Sequence, residues 1–170
     1  MTEDRLRAAW DEALTAGGLA ATIADGLDDP AERALARVLS RARRGLYRLS
    51  AERGCKIAQD VWSGASFLIL PKDDVGRAIQ PSEAAEEAPL FDARIVAASD
   101  GCAMLPGVIF HPADAAPHIY RIVDAARQRD LSPDRVCDAL LRMEHAFRTL
   151  TRVKIAYAYR VEAVETKARP

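Results

Sequence analysis

Cysteine is scarce in this chain, and the three that occur, Cys55, Cys102 and Cys137, lie far apart with no Cys-x-x-Cys pair. An odd, widely spaced set argues against a disulfide framework and is expected of reduced thiols in a cytoplasmic protein. Histidine is equally sparse. No two of His111, His118 and His145 stand four apart, the spacing that sets two ligands on one helix face. Neither a metal nor a cofactor is expected. No run approaches the roughly 20 apolar residues a membrane-spanning helix needs. The opening MTEDRLRAAW is charged from its third residue and lacks a signal peptide's apolar core. A Gly-rich phosphate loop is also missing: Gly17-Gly18 falls where a helix should end, and Gly101 and Gly107 fall in turns.

What is present fits a folded domain. The chain has 170 residues, 49% of them hydrophobic and 29% charged, enough to bury a core as a single domain spanning 1–170. Its net charge of -1 argues against a general polyanion binder. The densest apolar run is 90–112, LFDARIVAASDGCAMLPGVIFHP. Asp100-Gly101 there suits a tight hairpin turn. Ile95–Ala98 is apolar on both faces, as in a strand covered on both sides. Pro106 cannot donate to a ladder and marks a break between two short strands. SFLIL, 66–70, reads as a further buried strand.

Helices surround this region. Thr2 can cap a first helix that ends at Gly17-Gly18, with Leu6, Ala9, Trp10, Ala13 and Leu14 as its apolar face. Asp29-Pro30 with Glu32 opens another, expected to run from Pro30 to about Glu52. The segment 80–89, QPSEAAEEAP, reads as a mobile acidic connection. A helix is expected from about Asp114 to Arg129, and Ser132-Pro133 starts the last one. No glycine or proline then follows before Pro170, which predicts a long C-terminal helix over 133–167 that could serve association. The alternative is a C-terminal strand over 153–163, where Val153, Ile155, Tyr157, Tyr159 and Val161 alternate. The expected class is therefore α+β: a small, mainly antiparallel sheet packed by helices.

One charged surface stands out. On a helix from Pro30 to Glu52, Arg33, Arg37, Arg41, Arg44 and Arg48 would share one face, and no acid occurs between Arg33 and Ala51. Like charges at i,i+4 repel by a few tenths of a kcal/mol per pair, so a counter-charge from elsewhere is expected. It could come from an anionic partner, from Glu83, Glu86 and Glu87 folding over the helix, or from solvent alone. Arginine's planar fork favours specific pairing with carboxylate or phosphate.

Other constellations are weaker. For nucleophilic catalysis the candidates are Ser99 and Cys102 at the hairpin turn, with His111 nearby as base. A cysteine beside a hairpin is more often a small buried hydrophobe. Arg127–Met143 has the outline of a helix-turn-helix, but Asp134 and Asp138 on its second helix would repel phosphates. The leading expectation is a non-enzymatic binding or accessory protein. Its five arginines would engage an anionic partner, an acidic protein surface before nucleic acid, and a second copy would cover the C-terminal segment. A small enzyme around Cys102 and His111, or a DNA-binding regulator, are the alternatives.

Overall fold

The computed structural model describes residues 3–70, 90–150 and 152–164. Three N-terminal helices come first: α1 (Glu3–Leu14), α2 (Leu19–Gly26) and α3 (Pro30–Leu39). Strands β1 (Arg43–Glu52), β2 (Cys55–Asp60) and β3 (Ser66–Ile69) follow, then β4 (Leu90–Ala98), β5 (Gly101–Met104) and β6 (Ile109–Phe110). Helices α4 (Ala116–Gln128), α5 (Pro133–Thr149) and the single turn α6 (Ile155–Ala158) complete the order.

The α+β class holds, but the sheet is not small and open. The order β1-β2-β3-β5-β4 closes on itself through β1–β4 pairing, giving a five-stranded barrel, and β6 pairs with β4. Four of its seams are antiparallel, and β3–β5 is parallel. Closure removes the exposed edges that a short open sheet would leave.

Strand alternation sorts the residues. On β1, Tyr47 and Leu49 point into the barrel, as do Phe91, Ala93 and Ile95 of β4. Tyr47 meets Phe67 edge-on and Phe91 at a tilt, so aromatic rings fill the interior. Leu46 and Leu90 belong instead to an outer core with α4 and α5. Residues 90–96 are buried throughout while Ala97 and Ala98 emerge, so the double cover predicted for Ile95–Ala98 sits a few residues earlier.

The predicted helix from Pro30 to Glu52 stops at Leu39, and Arg43–Glu52 is a strand. Its start is as expected, with the Asp29 side chain accepting from the Ala31 N–H at 2.9 Å. Its continuation fails because residues 45–47 are buried on successive positions, which a strand between two cores satisfies and one helix face does not. The C-terminal helix over 133–167 is likewise corrected. α5 ends at Thr149, Arg152 takes a positive φ of 67°, and α6 and a 3-10 turn (Val161–Val164) follow. The alternative strand over 153–163 is not formed either. The acidic connection 80–89 lies outside the described residues.

At the hairpin, Ser99 and Asp100 form the two-residue loop, and Ala98 pairs with Gly101. Neither loop residue has a positive φ. Gly101 serves close approach instead: a Cβ there would sit 2.9 Å from the Leu68 carbonyl oxygen of β3.

Candidate functional site

The five arginines separate. Arg33 and Arg37 lie on α3 and Arg41 in the turn after it, whereas Arg44 and Arg48 lie on β1. Arg33 is spent on the α2–α3 loop, its Nε donating to the Leu27 carbonyl at 3.1 Å. Arg48 donates to Gln59 Oε1 at 2.7 Å. Arg44 donates to both Asp92 oxygens, with Nη2–Oδ2 at 2.9 Å, and to Asp138 at 2.6 Å. Internal neutralisation thus applies to Arg44, and its source is Asp92 and Asp138; Glu83, Glu86 and Glu87 lie outside the described residues.

Arg37 and Arg41 differ. Neither side chain has a hydrogen-bond or ion-pair partner among the described residues. With Arg33, Pro30, Ala34 and Val38 they line a shallow groove of about 400 Å³ along α3. The i, i+4 spacing of 33, 37 and 41 keeps them aligned just past the helix end. Val38 lines that groove and is 38% exposed, whereas Leu35, 61% exposed, lies about 160° around α3 from Arg37 at about 100° per residue. Ile23 and Leu19 of α2 are also exposed. Small residues hold α2 to α3, with Ala20, Ala24 and Ala36 buried. The larger apolar side chains of the pair are left outside.

A second region lies where α1, β1, β4 and α5 converge. Asp92 and Arg94 alternate on β4's outer face, between the inward Phe91, Ala93 and Ile95. Arg94 pairs with Glu12 of α1, and its buried guanidinium is pushed below its ordinary pKa by desolvation, against Asp11. Burial pushes the Asp92 carboxyl up while Arg44 opposes it. For Arg44, burial works against the charge, but Asp92 and Asp138 outweigh it and raise the pKa.

Helix α1 is docked through polar groups. Asp11 is its buried residue and accepts from the Gly107 N–H at 2.7 Å, and Arg5 reaches Glu144 and the Leu141 carbonyl. Leu6 and Trp10, predicted to face the core, are 45% and 59% exposed.

The nucleophile candidates are not arranged as a pair. Cys102 packs against the barrel interior with its thiol pushed up by burial, away from thiolate. His111 lies 2% exposed with Nδ1 3.1 Å from the Tyr159 hydroxyl, and its Nε2 has no partner. Burial, with Arg148 adding to it, pushes the His111 pKa down to about 4. Among the described residues no group of three or more His, Cys, Asp or Glu could hold a metal. No described helix is long and apolar enough to cross a membrane.

Helices α4 and α5 form the hairpin expected over Arg127–Met143. The buried side of α5 includes Val136, Cys137, Leu140 and Met143, and Asp138 points to Arg44. Arg94, Glu12, Asp60 and Trp62 were not singled out from sequence, and Asp92 only as an acid–base partner of Asp100, not as the partner of Arg44. The available signal was the pair of charges two apart inside the apolar run LFDARIV, a period-2 stripe on one strand face. Compared with protein families, curated proteins and solved structures, the chain shows no match.

Proposed function

We propose that this is a non-enzymatic binding protein whose N-terminal helical layer docks an acidic, apolar-faced segment of another protein. The observation that carries this reading is that two guanidiniums uncompensated among the described residues, Arg37 on α3 and Arg41 in the turn after it, line one groove with the exposed Val38. Exposed apolar side chains rimmed by charge are the composition of protein–protein contact surfaces, where arginine is enriched. A partner bringing carboxylates beside apolar residues would satisfy both halves of the surface at once. Nucleic acid is the less favoured occupant, because phosphate contact gains nothing from the exposed Val38.

Arg44 and Arg48 do not belong to this surface, since the barrel already uses them. The test is capture from lysate by the immobilised chain and by Arg37→Glu/Arg41→Glu, read for protein and nucleic acid. A protein with an acidic binding segment, retained by the parent and lost by the variant, supports the reading. Identical capture by both overturns it, and so does retention of nucleic acid alone.

A further inference from the structure

Away from the α3 groove, a cavity of about 480 Å³ opens between the start of β1, the end of β2, α1 and the first turns of α5. That volume suits a ligand of metabolite size. Leu46, Val123 and Val136 give it an apolar floor, and the half-buried Trp62 ring forms part of its wall. Arg127, which is not a lining residue, lies over that ring at 5.6 Å, so the indole already serves as a cation platform.

The cations around the cavity are largely committed. Arg44 is held by Asp92 and Asp138, and Arg94 by Glu12. Arg43 is the loose one: its side chain is 58% exposed and reaches only to 3.5 Å from Asp60. Counting Asp92 behind Arg44, five carboxylates stand against these three guanidiniums. The two negative charges in excess act in a half-enclosed site, where attraction is stronger than in bulk water. Cys137 at the cavity wall feels that field: burial, then Asp92, Asp134 and Asp138, push its thiol up against Arg44. Asp134 has no side-chain partner among the described residues. Its place in the first turn of α5 suits the helix dipole. Asp60 accepts from the Trp62 N–H at 3.0 Å and from the Ser63 hydroxyl, and Glu12 pairs with Arg94, so Asp134 is the lining carboxylate left without a partner among the described residues.

We propose that this cavity binds a small organic cation, an ammonium or guanidinium on a short apolar body. The charged end sits among Asp60, Asp134 and Asp138, and the body lies against Trp62 and Leu46. Arg43 is the cation such a ligand competes with at Asp60, whose oxygens also accept from the Trp62 N–H and the Ser63 hydroxyl. An anion would find only the loosely held Arg43 without displacing Glu12 or Asp138 from guanidiniums they already satisfy, and it would meet the carboxylates in excess.

Agmatine, which carries both cationic groups, is the probe. The full chain with Trp10→Phe leaves Trp62 as the only indole of the two in the sequence. Its fluorescence is followed during titration of that parent, of Asp134→Asn and of Arg43→Gln, with folding checked by circular dichroism. Saturable change is expected, weakened about tenfold by Asp134→Asn through loss of one charge-assisted contact. Arg43→Gln should tighten binding about threefold by removing the competing cation. The opposite sign for Arg43→Gln overturns the proposal, as does displacement of agmatine by inorganic phosphate or AMP. No saturable change below about 10 mM agmatine, or an unchanged affinity in Asp134→Asn, overturns it as well.

Discussion

The Arg44 guanidinium closes on the Asp92 carboxylate across the β1–β4 seam, with Nη2 and Oδ2 2.9 Å apart and 3% of the Asp92 side chain exposed. The pair is placed by the barrel. Strand alternation sends both side chains to the outer face, where α5 covers them and Asp138 adds a second acceptor. Removing one partner leaves the other charge buried and uncompensated, which costs far more than the intact pair contributes. Arg44→Met should therefore lower stability by about 3 kcal/mol or more, and Arg44→Met/Asp92→Leu should recover most of that loss. Denaturant unfolding of both variants checks the order.

His111 gives a pH dependence with a definite sign. Its ring takes a proton near pH 6.5 when unfolded and only near pH 4 when folded. Between those values the unfolded chain binds more protons, so stability falls as pH drops from about 6.5 and levels off below about 4. The expected loss from pH 7 to pH 5 is about 2 kcal/mol from this group. His111→Phe/Tyr159→Phe removes the ring and its hydroxyl partner together. Its stability should change less with pH over that interval, measured by denaturant titration at both values; an equal change in both proteins contradicts the assignment.

The seat of α1 on the barrel is set by one glycine. A Cβ on Gly107 would fall 2.5 Å from the Ala8 Cα and equally close to Asp11 Oδ2, and the backbone atom cannot step aside. Gly107→Ala should cost about 2 kcal/mol or more through overpacking. Amide exchange in α1 should accelerate while the barrel strands stay protected. Uniform loss of protection would mean that α1 and the barrel open together.

Charge reversal on α3 should leave the fold intact. Arg37→Glu/Arg41→Glu touches two exposed side chains without partners among the described residues, so its unfolding free energy should stay within about 0.5 kcal/mol of the parent. The same experiment on Arg44 would confuse interface with core.

Local signals in the sequence read well where one chemistry dominates. Asp29-Pro30 and Ser132-Pro133 both open helices, as their caps dictate. SFLIL forms a strand over Ser66–Ile69, and Pro106 separates β5 from β6. Of that strand's residues Ile69 is buried but Leu68 is 43% exposed, so it is not the buried strand expected. The failures come from patterns that two structures satisfy. Leu46 and Leu49 continue the helical spacing of Leu35, Val38 and Leu39, yet on a strand Leu46 faces the outer core and Leu49 the barrel interior. Barrel closure rests on β1–β4 pairing between segments that begin 47 residues apart, at positions 43 and 90, which no local pattern encodes. Arg152 ends the C-terminal helix region with a positive φ on a residue that carries no breaker signal. For the site, alignment of Arg33, Arg37 and Arg41 was legible, while the partners of Arg44 were not, because Asp92 and Asp138 arrive from distant strands and helices.

The central claim is that α3 presents a protein-docking surface. A photo-crosslinking residue placed at Val38, 38% exposed and in the groove with Arg37 and Arg41, tests it most directly, with the same residue at Leu150 as a control site. Crosslinking to an acidic segment of another protein from position 38 but not 150, abolished by Arg37→Glu/Arg41→Glu, is the predicted result. Equal crosslinking from both positions, or crosslinking at 38 that survives charge reversal, would contradict it.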